Sequence, residues 1–545
     1  LNELCGHNEV SDKLPLVHGL ALDVRAELHG HPDLVAEEEF MKTRYFTLLI
    51  GMSLFATLAM PVWTAAQDNP SQDHKPRHKK YRLIDVGTFG GPASNVADLQ
   101  RIINNGGVLA GGADTVIPDP YFPNCFDPEC FVQHAFQWRN GVLADIGALP
   151  GVNSSSGFEI NGRGWIVGVS QNGLIDPLSG TPEDRPVLWK DGRIIDLGTL
   201  GGNQGQANSI NDTGQVAGVA FNDVPDPFTG TTQFRGFLWQ RGIMYDLGTL
   251  GGPDAFGQYI NNHGQVAGFS FTNSTANATT GLPTTDPFLW ENGRMRDLGT
   301  LGGTNGQVNC LNNRGQVVGT SNLAGDIFTH GFLWDRGVLK DVGTFGGDNS
   351  TAMWIDEAGD VVGAGDFPGD QTHDAFLLKN GVKTDLGNLG GTSTAHAINE
   401  KGQIVGASRA LDGNPHAFLW ENGGPMVDLN ALIPSNSSLQ LQFANYISDP
   451  GEIAGVGVPA GCNSVNDGCG HAFVLIADGD CDDDCEGRIA QSQSSIAASQ
   501  NQAALAQNPE VMKQGSETLL SPIERFRSMM RQRYHLPGQP AALRD

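Results

Sequence analysis

The chain is poor in positive charge, and it is short of sustained helical signals, long apolar runs and recognisable catalytic motifs. Lys and Arg number 33 against 60 Asp and Glu, a formal charge of −27 with a pI near 4.7. That balance excludes a nucleic-acid binder held through phosphate contacts. Beyond residue 66 no second long apolar run appears, so the mature chain is expected to lack a transmembrane span. Residues 81–476 show no sustained 3.6-residue periodicity with caps. No Gly-x-Ser-x-Gly, His-Glu-x-x-His or P-loop is present.

One short apolar run does occur. Lys42 and Arg44 precede the stretch from Tyr45 to Met60, and Thr64-Ala65-Ala66 supplies small residues for cleavage. This reads as a secretory signal over 41–66, with an uncut membrane anchor as the alternative. A signal that far inside the chain makes residues 1–40 an upstream segment, with synthesis expected from Met41. Export places the mature protein outside the cell or in the periplasm.

Eight cysteines fit that compartment. Cys125/Cys130, Cys462/Cys469 and Cys481/Cys485 are close pairs suited to short disulfides. Four, six and three residues separate them, and no His stands at ligand spacing, which argues against zinc. Cys310 replaces Ser209 or Ala397 of other repeats and reads as a buried structural thiol.

What the chain has in quantity is repetition. Asp-Leu-Gly-Thr-Leu-Gly-Gly stands intact at Asp196–Gly202, Asp246–Gly252 and Asp297–Gly303, with variants from Asp85, Asp145, Asp341, Asp385 and Asp428. Ile-Asn-x-x-Gly-Gln-Val-x-Gly recurs eight times, clearest at Ile210–Gly218, Ile260–Gly268 and Ile398–Gly406. Ala-Phe-Leu-Trp followed by Asn-Gly also recurs eight times, as at Ala135–Trp138 and Ala417–Trp420. Each unit reads as four short strands joined by Asn/Asp/Gly turns. Four strands per 43–60 residues predicts an all-β, eight-bladed β-propeller over 81–476. The eighth unit lacks its fourth strand, whereas Tyr81–Gly87 is a fourth strand without predecessors. The N-terminal strand is therefore expected to close the ring against 472–475. The repeated Phe and Trp read as inter-blade packing, and the His before the third strand as structural.

His134-Ala135-Phe136, His416-Ala417-Phe418 and His471-Ala472-Phe473, with the other two elements, resemble the HAF-repeat family of predicted extracellular bacterial proteins. The resemblance covers about residues 81–476. It implies export and repeats, and it carries over no established catalytic activity or residue.

The loops between second and third strands vary and share one face, the natural place for binding. Tyr121, Phe122, Asp176, Asp226, Phe228 and Asp286 are the candidates for a carbohydrate- or protein-binding surface, against Asp-Pro as a simple turn former. Asp478, Asp480, Asp482 and Asp484 form an acidic segment, 477–487, that could take calcium, although EF-hand spacing is absent. No other cofactor is indicated. Residues 67–80 read as a linker, and residues 488–515 as a Ser/Gln/Ala-rich linker. A C-terminal helix is predicted over 516–545, its cap at Ser521-Pro522. The leading function is a secreted, non-enzymatic binding scaffold. A carbohydrate-active propeller enzyme, hydrolase or lyase, is the alternative, and a structural cell-surface protein the third.

Overall fold

The computed structural model describes residues 78–226, 232–277, 283–480, 485, 487–491 and 493–495. They form eight four-stranded antiparallel blades. Blade 3 shows the pattern: Gly201–Ile210, Val216–Pro225, Thr232–Gln240 and Ile243–Asp246, each paired to the next. A single parallel bridge, Thr285 to Asn305, joins blades 4 and 5. The first three strands run longer than their repeat elements, because pairing continues into the loops on one side of the ring.

The predicted closure is present. Lys79–Asp85 is the outer strand of blade 8 and pairs antiparallel with His471–Asp480, Asp85 opposite Phe473 and Leu83 opposite Leu475. Tyr81 is buried there and its N–H donates to Leu432 O at 2.9 Å. Closure leaves blade 8 without an unpaired third strand at the chain end.

Packing between blades uses the third strands. Phe136, Phe237, Phe288, Phe332, Phe376, Phe418 and Phe473 are fully buried, one per blade, and Val187 holds the place in blade 2. In one cluster Val108 and Ala135 of blade 1 meet Ile160, Val187 and Trp189 of blade 2. Each buried Phe contributes about 2–3 kcal/mol of apolar burial. The last Gly of Val-x-Gly is dictated by proximity: a Cβ on Gly268 would stand 1.9 Å from Phe256 O of the inner strand.

The His before the third strand pairs across to the Asp of Asp-Leu-Gly. His134–Asp145 (2.8 Å), His330–Asp341 (2.8 Å), His416–Asp428 (2.7 Å) and His471–Asp85 (3.0 Å) share this geometry, and Arg185–Asp196 substitutes in blade 2. The same Asp accepts from the Gly N–H two residues on, as Asp196 does from Gly198 at 2.8 Å. Disulfides join Cys125 to Cys130 and Cys462 to Cys469. Cys485 is disulfide-bonded, while Cys481 lies outside the described residues. Cys310 is a free, buried thiol that burial pushes up to about 12.

One expectation needs correction. The stretch from 488, read as a linker, begins as helix through 491. Ile489 is buried in the core of blades 7 and 8, and the Arg488 guanidinium donates to Ala431 O and Ile433 O. Two docked side chains outweigh a linker-like composition. The helix expected over 516–545 lies outside the described residues.

Candidate functional site

The two sides of the ring are built differently. On one side lie the turns between first and second strands. Each Asn of Ile-Asn-x-x-Gly-Gln caps its own turn: Asn211 Oδ1 accepts from Thr213 N and Gln215 N, and Gly214 takes a positive φ of 85°. The Asn amide then reaches the next blade. Asn104, Asn161, Asn211, Asn261, Asn312 and Asn399 each donate to a backbone carbonyl of the following blade at 2.9–3.0 Å. The Gln holds that amide in place, as Gln265 Oε1 does at 2.6 Å from Asn261 Nδ2.

A second belt runs one residue further on. The N–H groups of Gly162, Asp212, Asn262, Asn313, Glu357, Glu400 and Asp449 each donate to a side-chain oxygen of the next blade. The first belt lacks the junctions after blades 6 and 8, where Asp356 and Ser448 carry no amide. The second covers both. It lacks only the junction after blade 1, where Gly162 has no side chain, and the first covers that. All eight junctions are bonded.

Within the ring, blade 1 departs from its sisters. Seven residues stand between Asn95 and Ile103 where blade 2 has three between Ser156 and Ile160. The extra chain turns into the axial channel through Leu99, whose φ is 54°. There the Tyr259 hydroxyl of blade 4 donates to Leu99 O at 3.0 Å, and Asn445 of blade 8 donates to Asp98 Oδ1. Arg101 pairs with Glu159 of blade 2 at 3.0 Å. Burial works against the Arg101 cation, but Glu159 more than restores it. Burial likewise raises the Glu159 carboxyl, with Arg101 pulling back. The remaining cavity, about 260 Å³, is lined by this pair with Tyr259, Cys310, Trp354 and Tyr446. It is below the usual size of a ligand pocket. The detour is a plug.

The other side carries the long loops. Here the candidate residues separate. Asp119 and Asp176, which open Asp-Pro pairs, are buried turn formers. Asp119 accepts from Tyr121 N and Phe126 N, and Asp176 from Leu178 N and Ser179 Oγ. Asp226 is also buried. Asp286 is not a loop ligand: it sits in the third strand of blade 4, Thr285–Glu291, at the His position, facing Asp297. Burial, then Asp297, pushes it up to about 7. Phe228 lies outside the described residues. Tyr121 is half-buried, and Phe122 is 76% exposed.

Phe122 has company that the sequence reading missed. Ile117, Leu174, Leu178, Ile327 and Leu411 are also exposed, all on strand ends or loops of this side. They stand singly or in pairs such as Leu174-Ile175 and Ile327-Phe328, without a motif. Only the shared direction of four blades assembles them.

Two of the four calcium candidates fall within the described residues. Asp478 and Asp480 lie at the end of the third strand of blade 8, His471–Asp480, and Asp480 is paired with Lys79 at 2.6 Å. Asp482 and Asp484 lie outside the described residues. Among the described residues, the three carboxylates that the fold brings together are Asp114, Asp127 and Glu129, on blade 1.

No family model and no curated protein matches the chain. Solved structures resemble its fold. A puromycin-hydrolyzing peptidase of Mycobacterium tuberculosis aligns over 70% of this chain and 61% of its own, at 12% identity and a TM-score of 0.37. Dipeptidyl peptidase 4 of Porphyromonas gingivalis aligns over 65% and 56%, at 11% and 0.40. TolB of Acinetobacter baumannii aligns over 58% and 82%, at 12% and 0.28. The chain spans about three-fifths of the length of the two peptidases. Likenesses this distant carry no argument about activity.

Proposed function

We propose that this protein is an exported binding scaffold whose loop side docks another protein. The carrying observation is the set of exposed apolar side chains on that side, with Phe122, Leu178 and Ile327 at 76%, 60% and 78% exposure. Apolar side chains gathered on one rigid face mark an interaction surface. The set is mostly aliphatic, and the nearby Asp119 and Asp176 spend their oxygens on their own loops. Sugar recognition by aromatic platforms and free carboxylates is less well served. Two disulfides suit an oxidising compartment, and among the described residues no helix is long and apolar enough to cross a membrane. The HAF-repeat resemblance supports the same reading.

A photo-crosslinking residue placed at Leu178, and separately at Asn262 on the turn side, tests this in producing cells. A protein adduct is expected from position 178 alone, and it should disappear with Phe122→Ala/Ile327→Ala. Absence of an adduct from 178, with purified chain binding or degrading polysaccharide, would establish the carbohydrate-active alternative instead.

A further inference from the structure

Blade 1 carries three carboxylates that its sister blades do not assemble. Asp114 lies near the end of the second strand, Val108–Pro118, while Asp127 and Glu129 lie in the loop clipped by Cys125–Cys130. One oxygen of each falls within 4.8 Å of the others. Asp114 is fully buried. Its Oδ2 accepts from Ala93 N at 3.2 Å, but its Oδ1 has no hydrogen-bond partner. Asp127 is buried too, and accepts from Gln133 Nε2 at 2.9 Å and from Glu129 N at 3.3 Å. Among the described residues, no lysine or arginine forms an ion pair with any of the three.

We propose that Asp114, Asp127 and Glu129 form a divalent-cation site, matched to calcium, that fastens the blade 1 loop at the closure seam. An unpartnered buried carboxylate oxygen is costly, and neighbouring carboxylates add to the cost. A proton or a cation must offset it. The donor set selects the cation. All three ligands are oxygens, and the nearby sulfurs are tied in a disulfide, which removes the soft ligands zinc favours. Calcium bonds oxygens at 2.3–2.6 Å and tolerates irregular geometry, so opposite ligands stand about 4.8 Å apart. Magnesium requires shorter bonds and a near-ideal octahedron.

The location gives the site a purpose. Glu129 packs against Gly468, where a Cβ would come within 2.3 Å of its Oε1. Gly468 belongs to the blade 8 loop held by Cys462–Cys469. A cation on Glu129 thus stiffens the contact between first and last blades, beside the point where the ring closes.

The test is thermal unfolding of the full chain, stripped with EDTA and then given calcium chloride alone. At about a hundredfold excess over Kd the midpoint should rise by about 3 °C. Asp127→Asn and Glu129→Gln should each abolish the rise while melting no lower than metal-free wild type, since each relieves repulsion. Asp478→Asn/Asp480→Asn should keep the rise, which separates this site from the acidic segment. No rise in wild type, or a rise retained by both Asp127→Asn and Glu129→Gln, overturns the proposal.

Discussion

The turn side and the loop side of the ring are made by the same eight repeats, yet they obey opposite rules. On the turn side every first hairpin has the same reach, and two belts of hydrogen bonds join every blade to the next. On the loop side the connections between second and third strands run from four residues, 411–414, to thirteen, 272–284. The difference teaches where repetition is enforced. A blade must present its Asn amide to a carbonyl at a fixed place, so the turn residues recur. A loop has no such repeated contact to make, and its sequence is free to vary.

The largest expected effect separates the two sides by pH. Burial pushes Asp254 up to about 8, Asp286 and Asp374 to about 7, and Asp114 to about 6, all toward the loop side. These folded values lie above the carboxylate value near 4 of the unfolded chain. The stability they contribute is whole below pH 4 and is lost as pH rises through 6 to 8. His416 and His471 are raised as well, so their ion pairs weaken in the same direction, above the ordinary histidine value. In metal-free buffer the thermal midpoint should fall by several degrees between pH 5 and pH 8, and Asp254→Asn should flatten that slope. A midpoint that rises over this range would refute the assignment.

Next in size is a break in the belt. Asn261→Ala removes the turn cap and the bond to Asn312 O, which is left with the Gly315 N–H alone. Equilibrium unfolding should show a loss of about 1–3 kcal/mol. Equal loss from Asn262→Ala, on the exposed rim, would show that the inner belt is not special.

The smallest effect runs the other way. Blade 6 has Asp356 where six other blades have Asn, so it cannot donate to blade 7, and burial raises its carboxyl. Asp356→Asn would restore the missing donor and should stabilise the ring by about 1 kcal/mol in the same assay. A destabilised variant would mean that the carboxylate has a partner of its own there.

Much of this architecture is legible in the residues. Counting Asp-Leu-Gly, Ile-Asn and Ala-Phe elements separately predicts eight blades, and the orphan strand at Tyr81 predicts closure on His471–Asp480. Both are read locally, since a turn or strand depends on neighbours in sequence. The cysteine pairs Cys125–Cys130 and Cys462–Cys469 follow from spacing for the same reason. The plug was not legible. Leu99 meets Tyr259 across 160 positions of sequence, and no pattern marks the four extra residues as channel-seeking. The acidic candidates at 478–484 are legible because they are adjacent in sequence. Asp114, Asp127 and Glu129 are spread over a strand and a loop, and only the folded loop gathers them. Likewise Asp176 caps its own turn, accepting from Leu178 N, Ser179 Oγ and Asn203 Nδ2, partners that a sequence does not display.

The sequence alone thus determined the number of blades, the strands within each, and the residue that closes every turn, because these rest on short-range geometry repeated eight times. The tertiary structure decided the rest: the plugged channel, the apolar face and the carboxylates at the seam. The plug and the apolar face depend on side chains brought together from different blades by ring closure, and the carboxylates depend on a loop folding back on its own blade, neither of which the repeat pattern encodes.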